Sequence, residues 1–193
     1  MDMKIRTTGL VGAGMLCAGE AMAHTGAGSV HGLAAGFAHP LLGLDHLTAM
    51  LAVGFWAGLV GGRARFAYPA AFVTVMILAG IGGMTGVSLP GVEIGVAASI
   101  IVLGLAIALD LAPPLAAGIA ACAVFAVFHG HAHGAELPEN ASGLSYAAGF
   151  VLATAALHGI GLAIAAQLAS HAPRLVRFVG GAMAVAGVAF IAG

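Results

Sequence analysis

Six apolar segments, each close to the length of a membrane-spanning helix, constrain most strongly how this chain can fold. A helix needs about 20 apolar residues to cross the hydrocarbon core of a bilayer. The chain is 61% hydrophobic and only 7% charged, whereas soluble domains are about a quarter charged. We therefore predict an all-α, polytopic membrane bundle with six transmembrane helices. The predicted spans are 41–61, 68–88, 92–111, 114–130, 143–168 and 175–192.

The first 23 residues have the three-part pattern of a secretory signal peptide. Lys4 and Arg6 supply a positive start, a short apolar core follows, and Ala21-Met22-Ala23 matches a cleavage site. The apolar core is too short to cross a bilayer by itself. We therefore predict a cleavable signal peptide over 1–23 and a six-helix transmembrane domain over 24–193. An uncleaved first helix is the alternative.

Arginines mark two of the predicted connections between spans. Arg63 and Arg65 lie between spans one and two, and Arg174 and Arg177 lie between spans five and six. The connections before span three and after span four carry acidic charges and no Lys or Arg. Because basic loops remain in the cytoplasm, both arginine-bearing connections are predicted to be cytoplasmic. Six spans then leave both mature termini outside, which agrees with a cleaved signal peptide.

The first polar motif, His39-Pro-Leu-Leu-Gly-Leu-Asp45-His46, opens the first predicted span. Positions seven apart lie about 20° apart around a helix, so His39 and His46 share a face if the helix starts early enough. Pro40 suits a first helical turn, where its missing N–H is not needed. A carboxylate such as Asp45 is costly in lipid. It therefore persists where it is paired, faces a wet cavity or binds a cation.

The second polar motif, Phe128-His-Gly-His-Ala-His-Gly-Ala-Glu136, ends span four. If the helix continues, His129, His133 and Glu136 fall within an arc of roughly 60°, and His131 points the other way. His131 is then expected to be a solvated loop residue. The two glycines of the motif weaken the helix and permit a local break, and broken helices are tolerated at membrane depth where they line a cavity.

The predicted topology brings both motifs to the same outer surface of the bundle. Neutral imidazoles together with carboxylate oxygens suit Ni²⁺, Cu²⁺, Co²⁺ or Zn²⁺, and they suit Mg²⁺ or Ca²⁺ poorly. The net charge of −1, by contrast, gives no sign of nucleic-acid binding. We therefore predict a site for a divalent metal ion. Its predicted ligands are His39, Asp45, His46, His129, His133 and Glu136.

Together, the H-x5-D-H and F-H-G-x-A-H-G-x-E motifs resemble those of the HupE/UreJ family of bacterial nickel permeases. The resemblance covers the signal peptide, the six spans and both motifs in order. It implies that the chain is not an enzyme and moves Ni²⁺, or else Co²⁺, Cu²⁺ or Zn²⁺, from periplasm to cytoplasm across the inner membrane. The mature termini would be periplasmic. The ion would serve hydrogenase or urease maturation, whose proteins are the implied partners, and no cofactor is required.

Two further polar residues lie outside the motifs. His158 falls near the middle of span five, where it is either hydrogen-bonded inside the bundle or a further stop on the ion path. Glu93 begins span three at the outer surface, where it is interfacial or attracts cations. Both are secondary candidates for metal contact.

Two other functions compete with transport. An intramembrane metal-dependent hydrolase would hold Zn²⁺ with three ligands and use a carboxylate as a base, although the sequence has no H-E-x-x-H motif. A membrane-held metal-binding accessory would use the same ligands without transport. In either motif the polar residues could also be structural: Asp45 and His46 as a fastening pair, and the histidines of span four as an interfacial helix end.

Overall fold

Seven helices form the described part of the protein. The computed structural model describes residues 32–137 and 143–192. Within those ranges the chain is helical and has no strand, which confirms the all-α prediction. The predicted signal peptide and the end of the second predicted outer connection lie outside the described residues. The helices are α1 (Gly32–Leu42), α2 (Leu44–Val60), α3 (Ala64–Met84), α4 (Val92–Ala108), α5 (Leu115–Ala135), α6 (Gly143–His171) and α7 (Pro173–Ala192).

The lengths of these helices are those of a membrane protein. Helices α3, α5, α6 and α7 are each long and apolar enough to cross a membrane, and α1 with α2 adds a fifth span if the bent pair counts as one. Helix α4 is apolar but has 17 residues, or about 26 Å, slightly less than a bilayer core of about 30 Å. The described chain is thus a polytopic helical protein with four or five spans by length and composition, compared with the six that the sequence predicts.

The first predicted span is divided in two at Gly43. Helices α1 and α2 meet at 86°, and Gly43 has an extended backbone, with φ −91° and ψ 116°. Pro40 was expected in a first turn, but it lies buried near the end of α1. Asp45 instead occupies the first turn of α2, where its carboxylate accepts the otherwise free N–H of His46 at 2.8 Å. His39 and His46 therefore lie on two helices, which corrects the expectation of one continuous face.

The local break that the two glycines of the second motif would permit does not occur. Helix α5 runs from Leu115 through the whole motif to Ala135. Gly130 and Gly134 pack directly on the backbone of α3, and a methyl group at either would overlap with the carbonyl oxygen of Met76 or Gly80. The absence of side chains at these two positions allows the close approach of α3 and α5, which offsets the poor helix propensity of glycine.

The helices pack so that both motifs lie at the same end of the bundle. Helix α2 packs along α6, α3 along α5, α4 against α7 and α1 against the start of α6. Along the α2–α6 contact, Gly54 meets the backbone of His158, and Gly58 meets Leu162 and Ala165. The chain direction places the start of α2 and the end of α5 at one end of the bundle. The arginine-bearing α2–α3 and α6–α7 connections lie at the opposite end.

Candidate metal site

Four imidazoles from three helices meet at the motif end of the bundle. The ring centroids of His46 and His133 are 4.2 Å apart, those of His46 and His129 are 4.9 Å apart, and those of His39 and His133 are 4.9 Å apart. Helix α1 contributes His39, α2 contributes His46, and α5 contributes the other two. We call these residues the four-histidine cluster. The structure thus brings together the histidines that the sequence proposed as ligands.

A carboxylate from the end of α5 borders the cluster. Glu136 immediately follows α5, and its Oε2 lies 3.7 Å from Nε2 of His39. One ligand atom from each of His39, His133 and Glu136 lies within 4.8 Å of the other two. Ligands on opposite sides of a metal ion at about 2.1 Å are about 4 Å apart. A small inward movement of these three side chains is therefore enough for them to contact one ion.

Asp45 fixes which nitrogen His46 offers to a metal ion. Oδ1 of Asp45 lies 3.0 Å from Nδ1 of His46. An ionised carboxylate can only accept hydrogen bonds, so Nδ1 carries the proton and donates it. The lone pair is then on Nε2 of His46, which is buried and has no hydrogen-bond partner among the described residues. A carboxylate that orients a histidine in this way is the usual arrangement behind metal-ligating imidazoles.

Ser99 of α4 fixes the ring of His129, which is fully buried, in a similar way. Its hydroxyl donates to the carbonyl oxygen of Val96 at 2.6 Å, and its Oγ lies 3.0 Å from Nε2 of His129. Because the hydroxyl proton is already used, Nε2 of His129 must be the donor and Oγ the acceptor. Nδ1 of His129, which is buried without a partner among the described residues, then carries the free lone pair.

His133 lies at the centre of the cluster. Its ring contacts His39 and His46 and packs against Phe150 at a centroid distance of 4.1 Å. The residue is 6% exposed, and neither ring nitrogen has a hydrogen-bond partner in the described part of the chain. Buried polar groups are normally hydrogen-bonded. Three adjacent imidazoles whose lone pairs have no protein partner form a set of donors suited to a borderline divalent metal ion.

The remaining polar candidates lie apart from the cluster. His131 does point away, as expected, but it is a helical residue and not a loop residue: its Nε2 lies 2.6 Å from the carbonyl oxygen of Val87. Glu93 is exposed in the first turn of α4 and does not belong to the group of close ligand atoms. His158 is buried deeper in the bundle.

Sequence reasoning missed Ser99, which is fully buried and contacts His129 directly. No motif contains it. The one available signal was its polarity inside an apolar span, because polar side chains in such spans usually face other helices and not lipid.

Comparison with known proteins agrees with the two motifs. The family model described as HupE / UreJ protein matches residues 12–190. The chain is also similar to "Protein HupE" of Rhizobium leguminosarum bv. viciae, with 42% identity over 174 residues that cover 90% of this chain and 91% of that protein. No solved structure matches the chain. The resemblance seen in the motifs is therefore confirmed, and the chain belongs to the HupE/UreJ family.

Proposed function

We propose that this protein is a permease that carries a divalent transition-metal ion, Ni²⁺, from the periplasm into the cytoplasm. The observation that carries the proposal is the four-histidine cluster, in which two separate motifs contribute imidazoles to one partly buried site beside the carboxylates of Asp45 and Glu136. Membership of the HupE/UreJ family supports it, because the motifs resemble those of nickel permeases. Maturation proteins of hydrogenase or urease are the proposed recipients of the ion.

The chemistry of the cluster suits capture followed by release. A divalent ion must lose much of its water before it enters the bundle, so it needs protein ligands that replace that water. Imidazoles and carboxylates do so for Ni²⁺, Co²⁺, Cu²⁺ and Zn²⁺. The chain has no G-x4-G-K-[ST] nucleotide-binding motif. The proposed driving force is the membrane potential, which favours inward movement of a dication by about 4.6 kcal/mol per 100 mV.

We propose a six-span arrangement in the inner membrane, with the cluster facing the periplasm and both termini periplasmic. The six spans would be α2 to α7, of which α4 is a short one. Helix α1 would not span the membrane and would pack beside the start of α6. The support is the position of the arginine-bearing connections at the end of the bundle opposite to the cluster, since basic connections remain cytoplasmic.

Two exposed serines allow a matched test of this orientation. Ser88 lies between α3 and α4 at the cluster end, and Ser170 lies near the end of α6 at the arginine end. With the native cysteines replaced, Ser88→Cys should react with an impermeant thiol reagent added to intact cells, and Ser170→Cys should react only after the cells are opened. The reverse labelling pattern would place the cluster in the cytoplasm and would refute the proposed direction of transport.

The direct test of transport is uptake of radiolabelled Ni²⁺ into liposomes that contain the purified full-length protein. A potassium diffusion potential, negative inside, should accelerate uptake. His133→Ala should abolish uptake at low Ni²⁺. The matched control is His131→Ala, which should leave uptake nearly unchanged, because His131 lies on the same helix but is hydrogen-bonded to the carbonyl oxygen of Val87. Binding of Ni²⁺ without uptake would identify a metal-binding accessory, and Zn²⁺-dependent cleavage of lipid or peptide would identify a hydrolase.

A further inference from the structure

A fifth buried histidine lies outside the four-histidine cluster. His158 of α6 is 2% exposed, and neither of its ring nitrogens has a hydrogen-bond partner among the described residues. Leaving a buried polar group unpaired is costly, and an ionisable residue inside a membrane bundle usually serves a pathway. The sequence left two possibilities for His158: a hydrogen bond inside the bundle or a further position on the ion path. The described residues do not supply the hydrogen bond.

A single aromatic ring links His158 to the cluster. The ring of Phe72 contacts His129 at a centroid distance of 5.4 Å and His158 at 5.3 Å. The planes of the Phe72 and His158 rings are at 89° to each other. Phe72 is fully buried on α3. An ion that moved from His129 toward His158 would have to pass this ring, so Phe72 occupies the position of a barrier between the two histidines.

The depth of His158 matches a second position along a path. A side chain at Gly54 of α2 would meet the backbone of His158, and Gly54 lies eight residues beyond His46 on the same helix. At 1.5 Å per residue this places His158 about 12 Å deeper in the bundle than His46. That distance is a substantial part of a hydrocarbon core of about 30 Å.

Two further potential ligand atoms lie one helical turn from His158 and Phe72. Thr154 precedes His158 by four residues on α6, and Met76 follows Phe72 by four residues on α3, so each shares a helix face with its partner. The hydroxyl of Thr154 lies 3.9 Å from the sulfur of Met76, and both residues are buried. A hydroxyl oxygen and a thioether sulfur are weak ligands, which suits a place where an ion pauses and leaves.

We propose that His158 is a second, inner station for the transported dication, reached from the four-histidine cluster when the Phe72 ring moves aside. The inference rests on the proposed function and adds the step that follows capture. Binding sites in series allow an ion to leave a multi-ligand site, because each position need not hold it tightly. The inner station offers one imidazole, whose nitrogens have no hydrogen-bond partner among the described residues, and the Thr154 and Met76 side chains lie beside the route to it.

The first test counts bound ions and does not depend on transport. Purified full-length wild-type protein, His158→Ala and Leu157→Ala are dialysed to equilibrium against Ni²⁺. Leu157 is the matched control, because it is buried beside His158 on α6 and offers no ligand atom. At Ni²⁺ concentrations that saturate binding, wild type and Leu157→Ala should each bind one equivalent more than His158→Ala, and this extra ion should bind more weakly than the ion in the four-histidine cluster. The proposal is overturned if wild type and His158→Ala bind the same number.

The second test separates capture from passage. In proteoliposomes, His158→Ala should lower the maximal rate of Ni²⁺ uptake at least tenfold, whereas the Ni²⁺ affinity of the cluster in detergent should change by less than twofold. His158→Gln, which keeps most of the volume but not the imidazole, should behave like His158→Ala, and Leu157→Ala should transport at the wild-type rate. Wild-type rates in both His158 variants would refute the inner station. If wild type itself transports nothing, the permease proposal fails, and the ion count still decides whether His158 binds metal.

Discussion

Replacing Ser99 with alanine tests whether the hydrogen bonds behind the cluster control metal affinity. In the wild type, the hydroxyl of Ser99 accepts the Nε2 proton of His129 and leaves Nδ1 free for a metal ion. Ser99→Ala removes that acceptor at a fully buried position. His129 then either keeps a buried N–H without a partner or shifts its proton to Nδ1, where it blocks the lone pair.

Either response weakens binding. Loss of a group that orients a metal-ligating histidine typically costs about 10- to 100-fold in affinity. Ser99 is a neutral acceptor, so we expect a loss near the lower limit, about tenfold or about 1.4 kcal/mol. The assay is a Ni²⁺ titration of the purified protein in detergent, with ¹⁵N NMR of the histidine rings to record which nitrogen of His129 carries the proton.

Thr48→Ala is the matched control for this experiment. The Thr48 hydroxyl donates to the carbonyl oxygen of Leu44 at 2.6 Å, as the Ser99 hydroxyl donates to that of Val96, but among the described residues it makes no hydrogen bond to an imidazole. Thr48→Ala should therefore leave Ni²⁺ affinity within about twofold of wild type. If Ser99→Ala is folded and also binds Ni²⁺ within twofold of wild type, the reasoning about the proton on His129 is wrong.

Two further predictions follow from the same geometry. Asp45→Asn should lower Ni²⁺ affinity by about 10- to 100-fold, measured by the same titration, with little change in thermal stability, because it removes the charge that holds the Nδ1 proton of His46. Gly130→Ala should lower the melting temperature, because the added methyl group meets the carbonyl oxygen of Met76. Gly159→Ala should not, because there is open space around Gly159. Equal melting temperatures for the two variants would contradict the packing of α3 on α5.

The sequence was sufficient to predict the helical class and the residues of the cluster. Long apolar segments separated by short connections specify membrane helices. Loop charges and chain direction were enough to predict that the two motifs meet at one end, and the four histidines do meet there. These predictions depend on patterns that run over many residues, so an error of a few residues at a helix boundary leaves them intact.

Features that depend on contacts between helices were not predictable. The continuity of α5 through Gly130 depends on the close packing of this glycine on the backbone of α3, and one sequence does not contain that information. Phe72 is one of several apolar residues in its span, and its position between His129 and His158 appears only once α3, α5 and α6 are packed. Likewise, Ser99 acquires a role only through its contact with α5.

The most direct test of the proposed capture site is a double-mutant cycle between the two motifs. Ni²⁺ affinity is measured for the wild type, His46→Ala, His133→Ala and the double variant, with the amount of folded protein recorded for each. Because the two rings are in contact at 4.2 Å and are expected to bind one ion, each single change should remove most high-affinity binding. The double change should be little worse, with a coupling energy of at least about 1 kcal/mol. Losses that add to within about 0.5 kcal/mol in folded variants would mean that the two motifs bind metal separately.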